Sequence, residues 1–549
     1  MRASRGLMLS ALCWTLISWT TAALAQIRDP LSYTFDFSPD ATSRSPRLLG
    51  MGRLTLASDV HNAVNLWDLA ANPIGLFEAD TSSSFDLRPA TSSAAARHTP
   101  VGSSTERQHL AGREVRLAYE GWKRSENSIY GLIGDFTQLR SDQPYSDTRV
   151  LRDHLDLPRF EAILSGRMPR FQSDRMIYEL HIFNVNANSL EEYRTFFSNA
   201  EGQYLGKESV IVPPPNFFDP DEVRASALGG GLGLSYRIAG WMTAAVGGEA
   251  TATRVEGENS DNIHDTGTGE DRSYYTGRLG LSGRYQAFEY ALDGRTWTAE
   301  NEERFVFTLK AGQNQNPFTG RGKVLDRAED GSEGRGRLRW KMGNLELNAG
   351  GRSWNRTVDI LPPPPGAVDS YNYFLNVAAN RRGADSLALP DSIVRSRAKD
   401  SGWDIAYGAT WRFGSRGLVG AEYHFAKESL ELDVFENPAP VPGNDPLSYE
   451  GDGPHRRTSD IRGGLEYACT SALTGRLGFI RRSDDLDELT DHNEYKSNTL
   501  TTGFGIRPLG SIWALDFGWS IEWISPDFED STDPKESRQQ LGAQVRWVF

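Results

Sequence analysis

Any chemistry in this chain would have to come from carboxylates, arginines and few other groups, because it holds only nine histidines and two cysteines in 549 residues. No Gly-x-Ser-x-Gly elbow, paired-histidine zinc motif or phosphate-binding glycine loop occurs, so no catalytic, metal or cofactor site is expected and the chain does not read as an enzyme. The charged residues are instead spaced in twos against apolar partners. Arg337 and Arg339 alternate with Leu338 and Trp340, and Asp404 and Arg412 share the small and polar phase of Trp403–Phe413. Glu422, Arg462, Asp516 and Arg546 occupy the same phase in later segments, and His424 joins them between Tyr423 and Phe425. Charges of both signs on one face of successive strands require water or each other, since unpaired buried charge is very costly. They are read here as a lumen, with two roles left open: structural ion pairing, or a constriction that handles polar and charged solutes.

The elements that would carry these residues are long strands. A period of two places every apolar residue of Trp403–Phe413 on one side, and Trp513, Leu515, Phe517, Trp519, Ile521 and Trp523 repeat the rhythm. About ten such residues suffice for a tilted strand to cross a bilayer. Tight breaks near 123–127, 169–173, 239–240, 286, 343, 414–416, 470–472 and 508–510 alternate with longer polar stretches, such as 90–112, 301–333 and 359–401. Short turns alternating with long loops define an antiparallel up-and-down transmembrane β-barrel over residues 81–549, and eight tight turns give about 18 strands within a range of 14–18. Trp122, Trp241, Trp297, Trp340, Trp354, Trp403 and Trp411 lie mostly near strand ends, where membrane interfaces favour them.

The two ends point to export. Arg2 and Arg5, the apolar run Leu7–Leu16 and the small-x-small site Ala23-Leu24-Ala25 predict a cleaved signal peptide over residues 1–25. Its loss would take the net charge from −14 to −16 and leave Cys469 as the one thiol, unable to form an internal disulfide. That acidic balance, with no basic stripe, argues against a nucleic-acid partner. Mean hydropathy is −0.50, as expected where lipid-facing and lumen-facing residues alternate and average out. The closing segment alternates Leu541, Ala543, Val545, Trp547 and Phe549 with polar and small residues, and Trp547 and Phe549 resemble the signal that bacterial barrel-assembly machinery reads. The expected setting is a Gram-negative-type outer membrane, with its lipid and the assembly machinery as partners. Oligomeric state is left open.

Residues 26–80 do not read as strand. Val60, Val64 and Trp67 share a face of a short helix over 59–70, ended by Asn72-Pro73. Upstream, Leu49-Gly50-Met51-Gly52 places two glycines where a turn is easy. The succession Pro46–Gly52, Leu56–Asp59, Asn62-Ala63-Val64, Leu66-Trp67 and Asn72–Leu76 resembles the start of the long-chain fatty-acid outer-membrane transporter superfamily. The resemblance covers about thirty residues. Ile74 stands where that family usually has alanine, Arg53 where it has a small residue, and its barrel has 14 strands. It implies an N-terminal hatch, here Leu49, Gly50, Met51, Gly52, Asn62, Trp67, Asn72 and Pro73, that plugs and gates a barrel passing small solutes, hydrophobic ones included. The other expectation is a non-conducting structural or secretion-partner barrel that binds protein or surface polymer through its long loops.

Overall fold

The computed structural model describes residues 46–54, 83–98, 108–125, 127–146, 149–167, 176–195, 209–210, 222–260, 264–309, 318–361, 396–434, 449–487, 492–526 and 536–548. The expected signal peptide, the helix over 59–70 with Asn62, Trp67, Asn72 and Pro73, and the terminal Phe549 lie outside the described residues.

One four-residue helix, α1 (Pro46–Leu49), precedes the strands. The strands are β1 (Ser83–His98), β2 (Gln108–Arg124), β3 (Ser128–Ser146), β4 (Arg149–Arg167), β5 (Met176–Thr195), β6 (Ser209–Val210), β7 (Glu222–Ala239), β8 (Met242–Ser260) and β9 (His264–Tyr285). They continue as β10 (Phe288–Leu309), β11 (Phe318–Met342), β12 (Leu345–Leu361), β13 (Ser396–Phe413) and β14 (Gly417–Val434). The last five are β15 (Tyr449–Ala468), β16 (Leu473–Asp487), β17 (His492–Ile506), β18 (Trp513–Pro526) and β19 (Glu536–Val548). Each long strand pairs antiparallel with its chain neighbours, and β1 closes the ring on β19, from Ser84 opposite Val548 to Ala96 opposite Glu536. The two-residue β6 only flanks the end of β5, which pairs directly with β7. Eighteen strands therefore form a closed transmembrane barrel, and closure leaves no edge strand with unpaired backbone.

Seven of the eight tight breaks expected from the sequence are observed as turns, Gly343, Gly414 and Gly510 having positive φ; the eighth, at 169–173, lies outside the described residues. At the other end the strands run further than the sequence suggests. The stretch 301–333 was expected as loop, yet β10 extends to Leu309 and β11 starts at Phe318, paired throughout. Backbone pairing needs no apolar face, so a hairpin continues past the bilayer where alternation of apolar residues has already faded.

The outer wall carries the apolar phase. Leu232 is 68 % exposed, Leu279 66 % and Leu132 60 %, a disposition suited to lipid and unfavourable in water. Aromatic rings gather near the turns: Phe288 stacks on Trp340 at 5.3 Å, Trp241 meets Tyr285 at 5.9 Å, and Phe413 stacks on Tyr467 at 6.4 Å. Three tryptophans depart from the expected interface positions and point inward. Trp122 is buried, Trp297 covers Gly331 while donating its indole N–H to Glu329 (3.0 Å), and Trp354 covers Gly402 under the guanidinium of Arg352. In each case the strand's phase, rather than nearness to its end, sets the direction.

Candidate functional site

The lumen face of β14–β19 holds a row of glycines on six successive strands. Gly420 lies opposite Gly464, Gly464 opposite Gly478, Gly503 opposite Gly518, and Gly518 opposite Gly542. Residues 46–54 lie on this row. A Cβ at Gly478 would stand 2.0 Å from Gly52 N, at Gly464 2.2 Å from Met51 O, and at Gly518 2.2 Å from Pro46 O. The segment's backbone thus rests directly on the wall's backbone, which only glycine permits. Leu49, Met51 and Leu54 are essentially fully buried, and Leu48, Met51 and Leu54 form one apolar cluster with Leu418 of β14.

The turn after α1 is held by Gly50 N to Pro46 O (3.0 Å) and by Met51 N and Arg53 N, both to Leu48 O (3.0 and 2.9 Å). Gly52 (φ +70°) and Arg53 (φ +52°) are left-handed in succession. Gly52 carries that geometry without a Cβ, whereas Arg53 is strained and is fixed at both ends. Its carbonyl accepts from Arg462 Nη1 (2.8 Å), and its own Nη2 donates to Gln540 Oε1 (2.9 Å). Gly52 N donates to Thr501 Oγ1 at 2.8 Å. At the helix, Arg47 grips Glu466 through two parallel bonds of 2.7 and 2.6 Å, and Glu466 also accepts from Arg476 Nε (2.8 Å). Arg476 reaches on to Asp516 at 2.6 Å, so the segment joins a chain of charge that spans β15, β16 and β18.

The rest of the lumen wall is laced in the same manner. Asp86 of β1 accepts from Arg546 of β19 at 2.8 and 2.9 Å and from Arg88 at 3.1 Å, which fastens the closing seam with charge. Arg88 also meets Glu120 (3.0 Å), and Arg116 pairs with Asp135. Arg339 sits between Glu289 (2.6 Å) and Glu346 (3.2 Å), while Glu333 receives Arg295 (2.7 Å), Arg352 (3.3 Å) and Arg335. Asp460 takes Arg462 at 2.8 Å and Arg482 at 3.3 Å, and Glu422 takes His424 at 3.0 Å. Same-face residues two apart in one strand, or opposite each other on neighbouring strands, are close enough to pair, so the register itself writes this network.

The sequence-derived lumen residues are found as follows. Arg339, Glu422, Arg462, Asp516 and Arg546 are members of the network just described. Arg337 is half-buried on the same face, and Asp404 lies opposite Arg352 in the register. Arg412 is exposed near the turn end of β13. Leu49, Gly50, Met51 and Gly52 are seated on the glycine row, and Trp547 packs beside Phe85 at 5.7 Å across the closing seam. Sequence reasoning missed Arg47, Arg53, Thr501 and Gln540, and also the row itself. Its glycines are legible one by one on the polar phase, but only the register aligns them. Among the described residues no group of three or more metal-ligating side chains occurs.

No protein-family model matches the chain, and no curated protein does. Among solved structures the chain is similar to the CymD monoaromatic hydrocarbon channel, with 10 % identity over 92 % of this chain and 97 % of that one and a TM-score of 0.35. It is similar to a Pseudomonas aeruginosa FadL homologue, with 10 % identity over 92 % and 98 % of the two chains and a TM-score of 0.31. It is also similar to the ferric citrate transporter FecA in its unliganded form, with 9 % identity over 85 % and 78 % and a TM-score of 0.39.

Proposed function

We propose that this chain is an outer-membrane channel or transporter for small solutes, exported through its signal peptide and gated by its N-terminal segment. The observation that carries this reading is the seating of residues 46–54 on the glycine row of β14–β19. The ladder of strand pairing closes without that segment, so it can leave its seat while the wall stays closed. Its attachment combines a small apolar cluster with hydrogen bonds and the Arg47–Glu466 ion pair, which is partly open to solvent. Full burial of Leu49, Met51 and Leu54 contributes about 1.5–3 kcal/mol each, and it is opposed by about 1–2 kcal/mol per residue for ordering the segment's backbone, so terms of similar size permit reversible release. The charged lumen face favours small polar solutes along the wall. A hydrophobic cargo of the sort implied by the sequence resemblance would need a site near the segment or in the outer loops. Passage is passive in this reading.

Single-channel conductance of the refolded mature chain in planar bilayers tests it. Deletion of residues 46–54 is expected to raise the open probability. A folded, heat-modifiable barrel whose conductance is the same with and without the segment would remove the gating role, and one that never conducts would remove the channel.

A further inference from the structure

The lipid-facing wall is not uniform. It carries two depressions, one above the other, a lower one of about 820 Å³ across β8–β13 and an upper one of about 830 Å³ across β9–β14. The lower one is apolar. Its floor is backbone, because the outward positions Gly294, Gly334, Gly336 and Gly351 carry no side chain, and Leu279 and Trp403 form its sides. The register makes this floor continuous: Gly294 lies opposite Gly334, and Gly336 opposite Gly351. The upper one is lined by hydroxyls, an amide and a carboxylate on the same outward phase, Thr298, Asp330, Ser332, Asn355 and Thr357, with the exposed ring of Tyr275 at one end. Here too the register is continuous, Thr298 lying opposite Tyr275 on one side and Asp330 on the other, and Asp330 opposite Thr357.

Their heights fit one amphiphile. A strand rising about 3.3 Å per residue at a tilt near 45° climbs about 2.3 Å per residue along the membrane normal. Gly294, Gly334 and Gly351 stand six to eight residues from the turn ends of their strands, about 14–18 Å up and within the roughly 25 Å apolar band. Thr298 and Thr357 stand ten and twelve residues up, about 23–28 Å, where acyl chains give way to head groups. The polar depression also has bonding capacity to spare. Asn355 Oδ1 accepts from Ser332 N (3.1 Å) and Ser332 Oγ (2.7 Å), which fixes the amide and leaves its NH₂ to donate outward. The cation at the far end, Lys399, is matched by Glu431 at 3.3 Å, so the head-group level offers hydroxyls, an amide and the Asp330 carboxylate, partners for sugar hydroxyls, rather than a cationic clamp for phosphate.

The geometry points to a bound outer-leaflet glycolipid, with an acyl chain in the glycine-floored hollow and sugar hydroxyls against Thr298, Ser332, Asn355 and Tyr275. This site is on the outer wall and is separate from the lumen, so its test does not depend on gating. The experiment is native mass spectrometry of the full chain extracted from outer membranes in mild detergent, counting retained glycolipid and phospholipid. At Gly294 and Gly334 a Cβ meets nothing within 4 Å, so Gly294→Leu and Gly334→Leu fill the hollow without disturbing the wall. Wild type is expected to retain glycolipid at one per barrel. Each leucine variant should lower that retention about tenfold while keeping heat-modifiable migration, the effect of losing on the order of 1.4 kcal/mol of chain contact. Should a leucine variant fail to fold, Asn355→Ala decides the matter, with reduced glycolipid retention and unchanged phospholipid expected. Wild type carrying no glycolipid, glycolipid retained equally by the folded leucine variants or by Asn355→Ala, or phospholipid retained in its place would each overturn the assignment.

Discussion

Two adjacent glycines on β15 offer a sharp comparison. Gly464 faces the lumen, and a Cβ there would lie 2.2 Å from Met51 O; Gly463 faces outward, and its Cβ would meet nothing within 4 Å. Ordinary carbon–oxygen contact needs more than 3 Å, so Gly464→Ala forces the 46–54 segment off the wall and into the lumen by about 1 Å, at a row where both sides are backbone. Overpacking of this kind costs about 1–3 kcal/mol, and the wall, held by bonds on both flanks, gives less than the segment. The docked population should therefore fall about 5- to 150-fold relative to the undocked one. Single-channel open probability reads that ratio directly, and heat-modifiable migration confirms that both variants are barrels. Gly463→Ala is expected to behave as wild type. If the two alanine variants give the same open probability, the segment is not the gate, whatever its position.

Further expectations concern the charge network. Arg47→Met and Glu466→Gln should each raise open probability, and a double-mutant cycle should show coupling of about 0.5–3 kcal/mol, since each single change already removes the same bidentate ion pair; strict additivity would refute the latch. Because that pair is partly exposed, raising salt from 0.1 to 1 M should also favour opening in wild type but not in Arg47→Met. Glu333, whose side chain is 1 % exposed and receives three arginines, should be a stability residue: Glu333→Gln is expected to cost about 3–5 kcal/mol, seen as a lower urea midpoint. Trp297→Ala uncovers Gly331 and strips Glu329 of its indole donor, and should cost up to about 3–5 kcal/mol of stability, seen in the same midpoint, without changing conductance.

Much of this architecture could be read locally. A period of two tells which residues of Trp513–Trp523 face lipid and which face the lumen, because side-chain direction in a strand is set by parity alone. His424 and Glu422 could be placed on the same face for that reason, and their 3.0 Å contact follows from spacing within one strand. Turn positions were equally legible, since Gly343, Gly414 and Gly510 stand where positive φ is needed. The inward turn of Trp297 follows from the same parity, which it shares with Glu289, Asp293 and Arg295, but that it covers Gly331 was not legible, because that partner is set by the register across the ladder.

What the sequence by itself determined, then, is what each residue and its near neighbours decide: strand phase, turn sites, strand number and a charged interior. The tertiary structure alone decided which strands' residues stand level with one another. That Gly464, Gly478, Gly518 and Gly542 line up into a seat, and that Arg47 finds Glu466 across 419 positions of chain, depends on the register of every intervening hairpin. A one-residue slip in any of them would turn the glycines outward and separate the charges, while leaving each strand's own pattern unchanged.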